Sequence, residues 1–409
     1  MTEKRNPSKL YDVAVIGAGP SGLTAALAFA QRGLDTLLLA PDVNHSDGRT
    51  TALLQESVAF LETLDVWAKL ATKAAPLRRM RLIDDTGRLI RAPEVTFDSA
   101  ELELDAYGYN LLNIDLNAAL EQEADTQKGL TFVRQAAAGY ELGEDTVTIE
   151  DASGTAYQAR LAVAADGRNS LLRKTAGIDV KRWGYPQVAL VLNLAHDLPH
   201  GDVSTEFHTP TGPFTLVPLP GRNSSLVCVE TEEGADRLYK MQDAYLEQEL
   251  EQRAHSILGK FRIASERQRY PLSGLAAKTL VGHRVALIGE TAHVFPPIGA
   301  QGLNLSLRDV AALVRLITSA HDRRADIGSA TVLATYERER RTDISSRTVA
   351  VDALNRSLLN GFLPIQLARS TGLYLADRIG PLRRLLMREG IAPGTKSLAD
   401  SLLPRRKSA

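Results

Sequence analysis

Near the start of the chain three glycines, Gly17, Gly19 and Gly22, stand between a valine-rich stretch, YDVAVI, and an alanine-rich one, GLTAALAFA. The spacing G-x-G-x-x-G between a predicted strand and a predicted helix makes a tight turn, lets a ligand approach the backbone, and allows close helix–strand packing. Without side chains the turn, which includes Ser21, offers backbone N–H groups to a pyrophosphate at the positive end of the helix. The plainer alternative is a turn that serves close packing alone. The following RGLDTLLLAPD reads as a second buried strand, so the chain opens a parallel α/β sheet of the dinucleotide-binding kind. The acid that usually meets the ribose at the end of that strand, ~20 residues on, is replaced by Ala40. Either Asp42 reaches back across the Pro41 turn, or that contact is left to water or backbone.

Composition closes off other classes. Of 409 residues, 44% are hydrophobic and 24% charged, which fits neither disorder nor a fibrous repeat. The 48 Lys and Arg against 49 Asp and Glu leave no broad basic face for nucleic acid. A single cysteine, Cys228, excludes an intrachain disulfide and a multi-cysteine metal cluster; it reads as a small buried hydrophobe in a reducing compartment. No metal is expected. No apolar run reaches the ~18–20 residues of a spanning helix, and MTEKRNPSKL lacks the apolar core of a secretion signal. The expected location is cytoplasmic.

The organisation expected along the chain is interleaved. Residues 9–76, 99–180 and 272–330 carry nucleotide-domain patterns, whereas 77–98 and 181–271 are rich in short strands such as VALVLNLA, FTLVPLP and SSLVCVE. Residues 331–393 read as helical, broken by Gly and Pro, and 394–409 as a polar tail. The expected fold is therefore α/β, a Rossmann-like domain interrupted by a mostly β-sheet substrate domain, with C-terminal helices.

Two later segments add chemistry. VAADGRNSLLRKTAG sets Asp166 and Gly167 after a buried strand, with Arg168, Ser170 and Arg173 at a helix start. ALIGETAHVFPPIGAQGLNLSLRDVAAL ends a strand in Gly289 and Glu290, then passes Pro297 and Gly299 to a helix start at Gln301, Gly302, Leu303 and Asn304. Such a helix end favours negative charge, as on the pyrimidine ring of a reduced flavin.

In this order the three segments resemble the class A flavoprotein monooxygenases with the p-hydroxybenzoate hydroxylase fold. The resemblance covers most of the chain. It implies FAD as cofactor and NAD(P)H as electron donor, with Gly17 to Gly22 at the ADP, Asp166 near both cofactors, and Glu290 at the ribityl chain where the family has Asp. PPIGAQGLNLSLRD, GPFTLVPLPG and RSTGLYLADRIGPLRRLLMREG look like the ubiquinone-biosynthesis polyprenylphenol hydroxylase branch, with Ala300 in place of its glycine. Arg49 in DGRTTALL matches that branch's early arginine over the cofactor, and Asn113 falls where a polar residue faces the flavin. A surface arginine and a helix N-cap are the plainer readings of these two. His293 reads as a packed histidine near a helix start. Phe214, Leu216 and Pro218 alternate with Thr215, Val217 and Leu219, so one set should face the flavin as an apolar wall; the first set is the expected one.

The implied reaction is hydroxylation of an electron-rich phenol by NAD(P)H and O2 through a flavin C4a-hydroperoxide. A soluble aromatic acid as substrate would call for an arginine in the strands VALVLNLA and FTLVPLPG, which contain none. A weakly active accessory flavoprotein is the other rival. A prenylated phenol is nearly insoluble and must come from a membrane or a partner. From Asp377 to Ala409 eight Lys or Arg face three Asp or Glu. Leu382, Leu385 and Leu386 with Arg383, Arg384 and Arg388 form a short amphipathic element, packed on the FAD domain or set on inner-membrane lipid or a quinone-biosynthesis complex.

Overall fold

The computed structural model describes residues 9–42, 48–87, 91, 93–296 and 301–359, together with 380, 383, 384 and 387. Strand Leu10–Ile16 lies inside an eight-stranded sheet, parallel to Thr36–Leu39 on one side and Ala156–Ala164 on the other. Leu130–Val133 and Val285–Leu287 extend the parallel array. Both faces of these strands are covered, which is why TLLL and VAL are apolar throughout instead of alternating. Helix Pro20–Gln31 presents Ala25, Ala26, Ala28 and Ala30 to the interior; these small side chains let it sit close to helices Asn113–Thr126 and Gln301–Asp322.

A second sheet has nine strands with Val180–His196 as its spine, paired antiparallel with Asn223–Thr231 and Gln268–Ala277. Gly212–Leu219 and Val203–Thr209 continue it, and Arg79–Asp84 and Val95–Asp98 close that edge. Gln268–Ala277 runs unbroken through the expected 271/272 boundary, because pairing with the spine on one side and with His293–Val294 on the other holds it extended. A three-stranded sheet of Thr50–Leu54, Gly108–Leu112 and Ala75–Leu77 lies between the two large ones.

The faces of the nine-stranded sheet differ. Helices Glu232–Lys240 and Asp243–Arg253 cover one, where Phe207, Phe214, Leu216 and Leu226 pack with Leu238 and Leu246. Cys228 lies in the same cluster, and burial pushes its thiol up to about 12. The other face turns to the three-stranded sheet: Thr50 Oγ1 donates to Ser225 Oγ (2.9 Å) and Asn193 Nδ2 to the Gly48 carbonyl (3.1 Å).

Helix Gln301–Asp322 is buried along Val310, Leu313, Val314 and Ile317, and Ala330–Leu359 packs beside it. Among the described residues no helix is long and apolar enough to cross a membrane. Near the chain's end Arg383 pairs with Glu101 (2.7 Å) and lies over the Phe97 ring, while Met387 is buried beside Tyr107. Arg384 is exposed. Leu382, Leu385, Leu386 and Arg388 lie outside the described residues.

Candidate active site

The glycine turn divides into two kinds of position. Gly17 has φ 109°, and a Cβ there would lie 2.4 Å from the Ala165 carbonyl oxygen; a Cβ on Gly22 would lie 1.9 Å from that of Gly17. The protein itself demands glycine at both. Gly19 has ordinary extended backbone, φ −69° and ψ 172°, and its Cβ would meet nothing within 4 Å. No packing in the protein requires glycine there. No side chain caps the helix that follows, and Pro20 enters its first turn, so the positive end is open to an anion.

The other two segments close around this turn. Gly289, at φ 61°, is wedged so that a Cβ would come 3.0 Å from Ser21 Oγ and 3.2 Å from Ser306 Oγ. Arg173, almost fully buried, donates to the Thr291 carbonyl (2.8 Å) and the Arg168 carbonyl (3.0 Å), tying the second segment to the third. Asp166 accepts from the Leu171 N–H through Oδ2 (2.9 Å), while its buried Oδ1 has no partner. An unpaired buried oxygen of this kind is costly and leaves an acceptor without a donor. Tyr140 Oη is also buried without a partner, and burial together with nearby Asp166 pushes that phenol well above its ordinary range.

The third segment is held by charge. Asp309 Oδ2 accepts from the Gly289 N–H (3.1 Å) and lies 2.6 Å from His293 Nε2, while Oδ1 accepts from Arg340 Nε (2.8 Å). Burial alone would raise the Asp309 carboxyl; His293 and Arg340 beside it hold it below the usual carboxylate range. The sequence reading left Asp309 and Arg340 without a role. The available signals were the last residue of PPIGAQGLNLSLRD, where Asp309 matches the later Asp of the branch it resembles, and a lone carboxylate amid Val310, Ala311 and Leu313 on a helix that must bury that stripe. Gln301 accepts from Arg347, and Gly302 has open space where a Cβ would be. Leu303 packs against the main core. The Asn304 side chain is engaged within the protein: it accepts from the Leu54 N–H (2.9 Å) and Ser57 Oγ (2.7 Å) and donates to the Ala52 carbonyl (2.8 Å). It therefore positions the helix start against strand Thr50–Leu54. Pro297 and Gly299 lie outside the described residues.

Several expected residues sit at the rim. The Glu290 side chain is 56% exposed and 3.5 Å from Arg168 Nε. Asp42 is 82% exposed and 3.9 Å from Arg134 Nη1. The Arg49 guanidinium stacks 5.1 Å from the centre of the Tyr270 ring, and its carbonyl accepts from the Asn113 N–H (2.9 Å). Asn113 is the first residue of its helix, after an N-cap at Leu112, and Oδ1 accepts from Thr51 Oγ1.

The expected apolar wall is corrected. Phe214 and Leu216 point to the helix-covered face and fill the core beneath Leu238 and Leu246. Pro218 has the same strand parity, and its carbonyl accepts from Asn110 Nδ2 (2.9 Å). The alternate residues Thr215 and Val217 share the opposite face with Ser225 and Val227, as the strand register requires. Two amphipathic helices cover Phe214 and Leu216, so these two pack as core.

A family model described as an FAD binding domain matches residues 10–350. Ubiquinone hydroxylase UbiL of Rhodospirillum rubrum is 34% identical over 399 residues, covering 95% of this chain and 91% of that protein. The 3-demethoxyubiquinol 3-hydroxylase of Escherichia coli is 30% identical over 382 residues, 91% of this chain and 96% of its own. Among solved structures, p-nitrophenol 4-monooxygenase of Pseudomonas putida superposes with a TM-score of 0.77 at 19% identity, over 95% of this chain and all of that one, a likeness of fold.

Proposed function

Because the chain belongs to the FAD-binding-domain family of flavin-dependent monooxygenases, we propose that it hydroxylates the aromatic ring of a polyprenylated phenol in ubiquinone biosynthesis, using NAD(P)H and O2. The observation that carries this reading is the end-to-end match, over nine-tenths of each chain, to proteins named as ubiquinone hydroxylases.

The site's own features fit FAD. Gly19 and Gly302 leave open space, the Pro20–Gln31 helix is uncapped, and Asp166 Oδ1 lacks a donor. In this assignment Gly17, Gly19, Ser21 and Gly22 hold the pyrophosphate, and Asp166 takes a hydroxyl. Gly289 keeps the passage narrow, and the first turn of Gln301–Asp322 with Gln301, Gly302 and Leu303 faces the ring system. Arg49, Asn113, Glu290 and Asp42 form the rim, with Asn304 setting the helix start. Bound FAD, reduced by NAD(P)H, supplies the oxygen-transfer chemistry. The protein orients the phenol and excludes water, because water entry diverts the reaction to hydrogen peroxide. The N-terminal end of helix Gln301–Asp322 would lower the cost of negative charge on the ring. We assign residues 9–76, 99–180 and 278–330 to the FAD domain and 77–98 with 181–277 to the substrate domain, moving the expected 271/272 boundary to the end of strand Gln268–Ala277. For the chain's end we favour packing over lipid contact, on the Arg383–Glu101 pair and buried Met387.

The test is to purify the protein, measure its flavin, and follow NAD(P)H oxidation with a short-tailed 2-prenylphenol. Hydroxylated product in step with NAD(P)H consumed is expected. Stoichiometric flavin without product would replace the enzyme with an accessory flavoprotein.

A further inference from the structure

The face of the nine-stranded sheet turned toward the cofactor domain carries a polar group that the cofactor assignment does not use. Glu206 lies on Val203–Thr209, opposite Thr215 in the register. Its Oε1 is 2.9 Å from His208 Nε2, and Oε2 accepts from Thr215 Oγ1 (3.2 Å). The side chains of His208 and Glu206 are only 6% and 20% exposed. Among the described residues no arginine or lysine pairs with Glu206; its one ion-pair partner is His208. Phe207, between them, points into the helix-covered core, so alternation sends Glu206 and His208 to the other face.

That face is less tightly covered than the helix side at part of its middle. Thr215, Val217 and Val227 are half-buried in the middle strands, where the opposite side is sealed. Asn193, on the same face, has a buried Oδ1 without a partner. The wall thus presents oxygen acceptors. On this side of the sheet Arg383, over the Phe97 ring two strands from Val203–Thr209, is paired with Glu101, and Arg49 stacks on Tyr270 of Gln268–Ala277. In the strand order that strand is four spacings from Val203–Thr209, or about 19 Å at the usual strand separation. A carboxylate has about four lone-pair sites, and His208 and Thr215 occupy one on each oxygen.

We propose that Glu206 receives the ring hydroxyl of the substrate, with His208 as its positioning residue, so that the site takes a neutral phenol and turns away aromatic carboxylates. This rests on the hydroxylase reading above. Acceptance of the O–H fixes which ring edge faces the cofactor and places electron density on the ring without any bond being broken. A ring-bound carboxylate would bring like charge against Glu206, whose one ion-pair partner among the described residues is His208.

The holoenzyme is titrated with a short-tailed 2-prenylphenol, its O-methyl ether and the matching prenylated 4-hydroxybenzoate, following the absorbance of bound flavin. The unmodified protein should bind the phenol about tenfold or more tightly than the ether, the scale of a hydrogen bond to a charged acceptor. Glu206→Leu should erase that ratio and admit the carboxylate. Should Glu206→Leu fail to fold, Glu206→Gln must narrow the ratio and bind the carboxylate more tightly. His208→Leu should weaken the discrimination, and His208→Gln, which can still donate to Glu206, should restore it at unchanged flavin content. An unchanged phenol-to-ether ratio in a Glu206 variant that holds flavin, while the unmodified protein hydroxylates the phenol, overturns this inference alone. No response of the unmodified holoenzyme to any phenol overturns the hydroxylase reading and this inference with it.

Discussion

The turn after Leu10–Ile16 is held by the absence of side chains, whereas the turn after Val285–Leu287 is held by charge. In the first, Gly17 and Gly22 let backbone meet backbone, and nothing ionic takes part. In the second, Gly289 is fixed by its N–H to Asp309, which in turn holds His293 and Arg340. Both turns deliver a helix start to the same cleft. A turn built from missing atoms can fail only by added atoms, while one built from a buried carboxylate can fail by losing that group or its charge.

Asp309 is the place to press hardest on this difference. Replacing it with Ala strips buried His293 of its carboxylate and leaves buried Arg340 with Asp343 alone, and such breakage costs about 3–5 kcal/mol. Asp309→Ala should lower the urea midpoint strongly and purify without flavin; a midpoint within error of the unmodified protein would show that the charges do not hold the turn. Acid should reach the same weakness. Because the folded Asp309 carboxyl is depressed, its contribution is present above the unfolded value near ~3.9 and is lost as pH falls through the folded one. Denaturation from pH 7 to pH 3 should therefore weaken the unmodified protein more than Asp309→Asn, converging toward the acid end at up to about 1.4 kcal/mol per pH unit. Parallel curves would remove the carboxylate from the account.

Gly22→Ala applies the contrasting pressure to the first turn. Its Cβ meets a carbonyl oxygen of the backbone, and overpacking of this kind costs about 1–3 kcal/mol. Unlike the Asp309 variants, its deficit should not change with pH. A pH-dependent loss would mean that the two turns are not mechanically distinct.

The same contrast explains what the sequence revealed. Gly17, Gly19 and Gly22 act within six residues, so their spacing announces strand, turn and helix together. Asp309 acts on His293 and Arg340, 16 and 31 residues away, and no local pattern links them. Asp42 and Glu290 were chosen by position along the chain, yet their side chains lie at an exposed rim beside Arg134 and Arg168. For Gly212–Leu219, FTLVPL is apolar on both parities, so alternation separates two sets without saying which is inside. That choice is made by Leu238 and Leu246, from helices that follow later in the chain. Glu206 is hidden in the sequence for a related reason: nothing within VSTEFHT shows that pairing with Arg79–Asp84 on one side and Gly212–Leu219 on the other places the strand inside the sheet.

The smallest stability effect is expected at Gly19, and it separates protein from ligand most cleanly. Alanine fits φ −69° and ψ 172° without strain, and its Cβ enters space where the protein has no atom within 4 Å. Folding of flavin-free Gly19→Ala should therefore match the unmodified protein within about 0.5 kcal/mol, as for substitutions away from packed features. Only a bound group can collide with that methyl. Flavin affinity, measured by quenching as FAD is added back, should fall while the flavin-free urea midpoint stays in place. Full affinity would move the pyrophosphate away from Gly19 and leave the triplet to packing. A matching test at Gly302 carries the opposite side effect, because alanine is the better helix former, though in the first turn the gain is below the interior value of about 1 kcal/mol. Flavin-free Gly302→Ala should then be slightly firmer than the unmodified protein even as it binds FAD less well, a divergence that neither Gly22→Ala nor Asp309→Ala can produce.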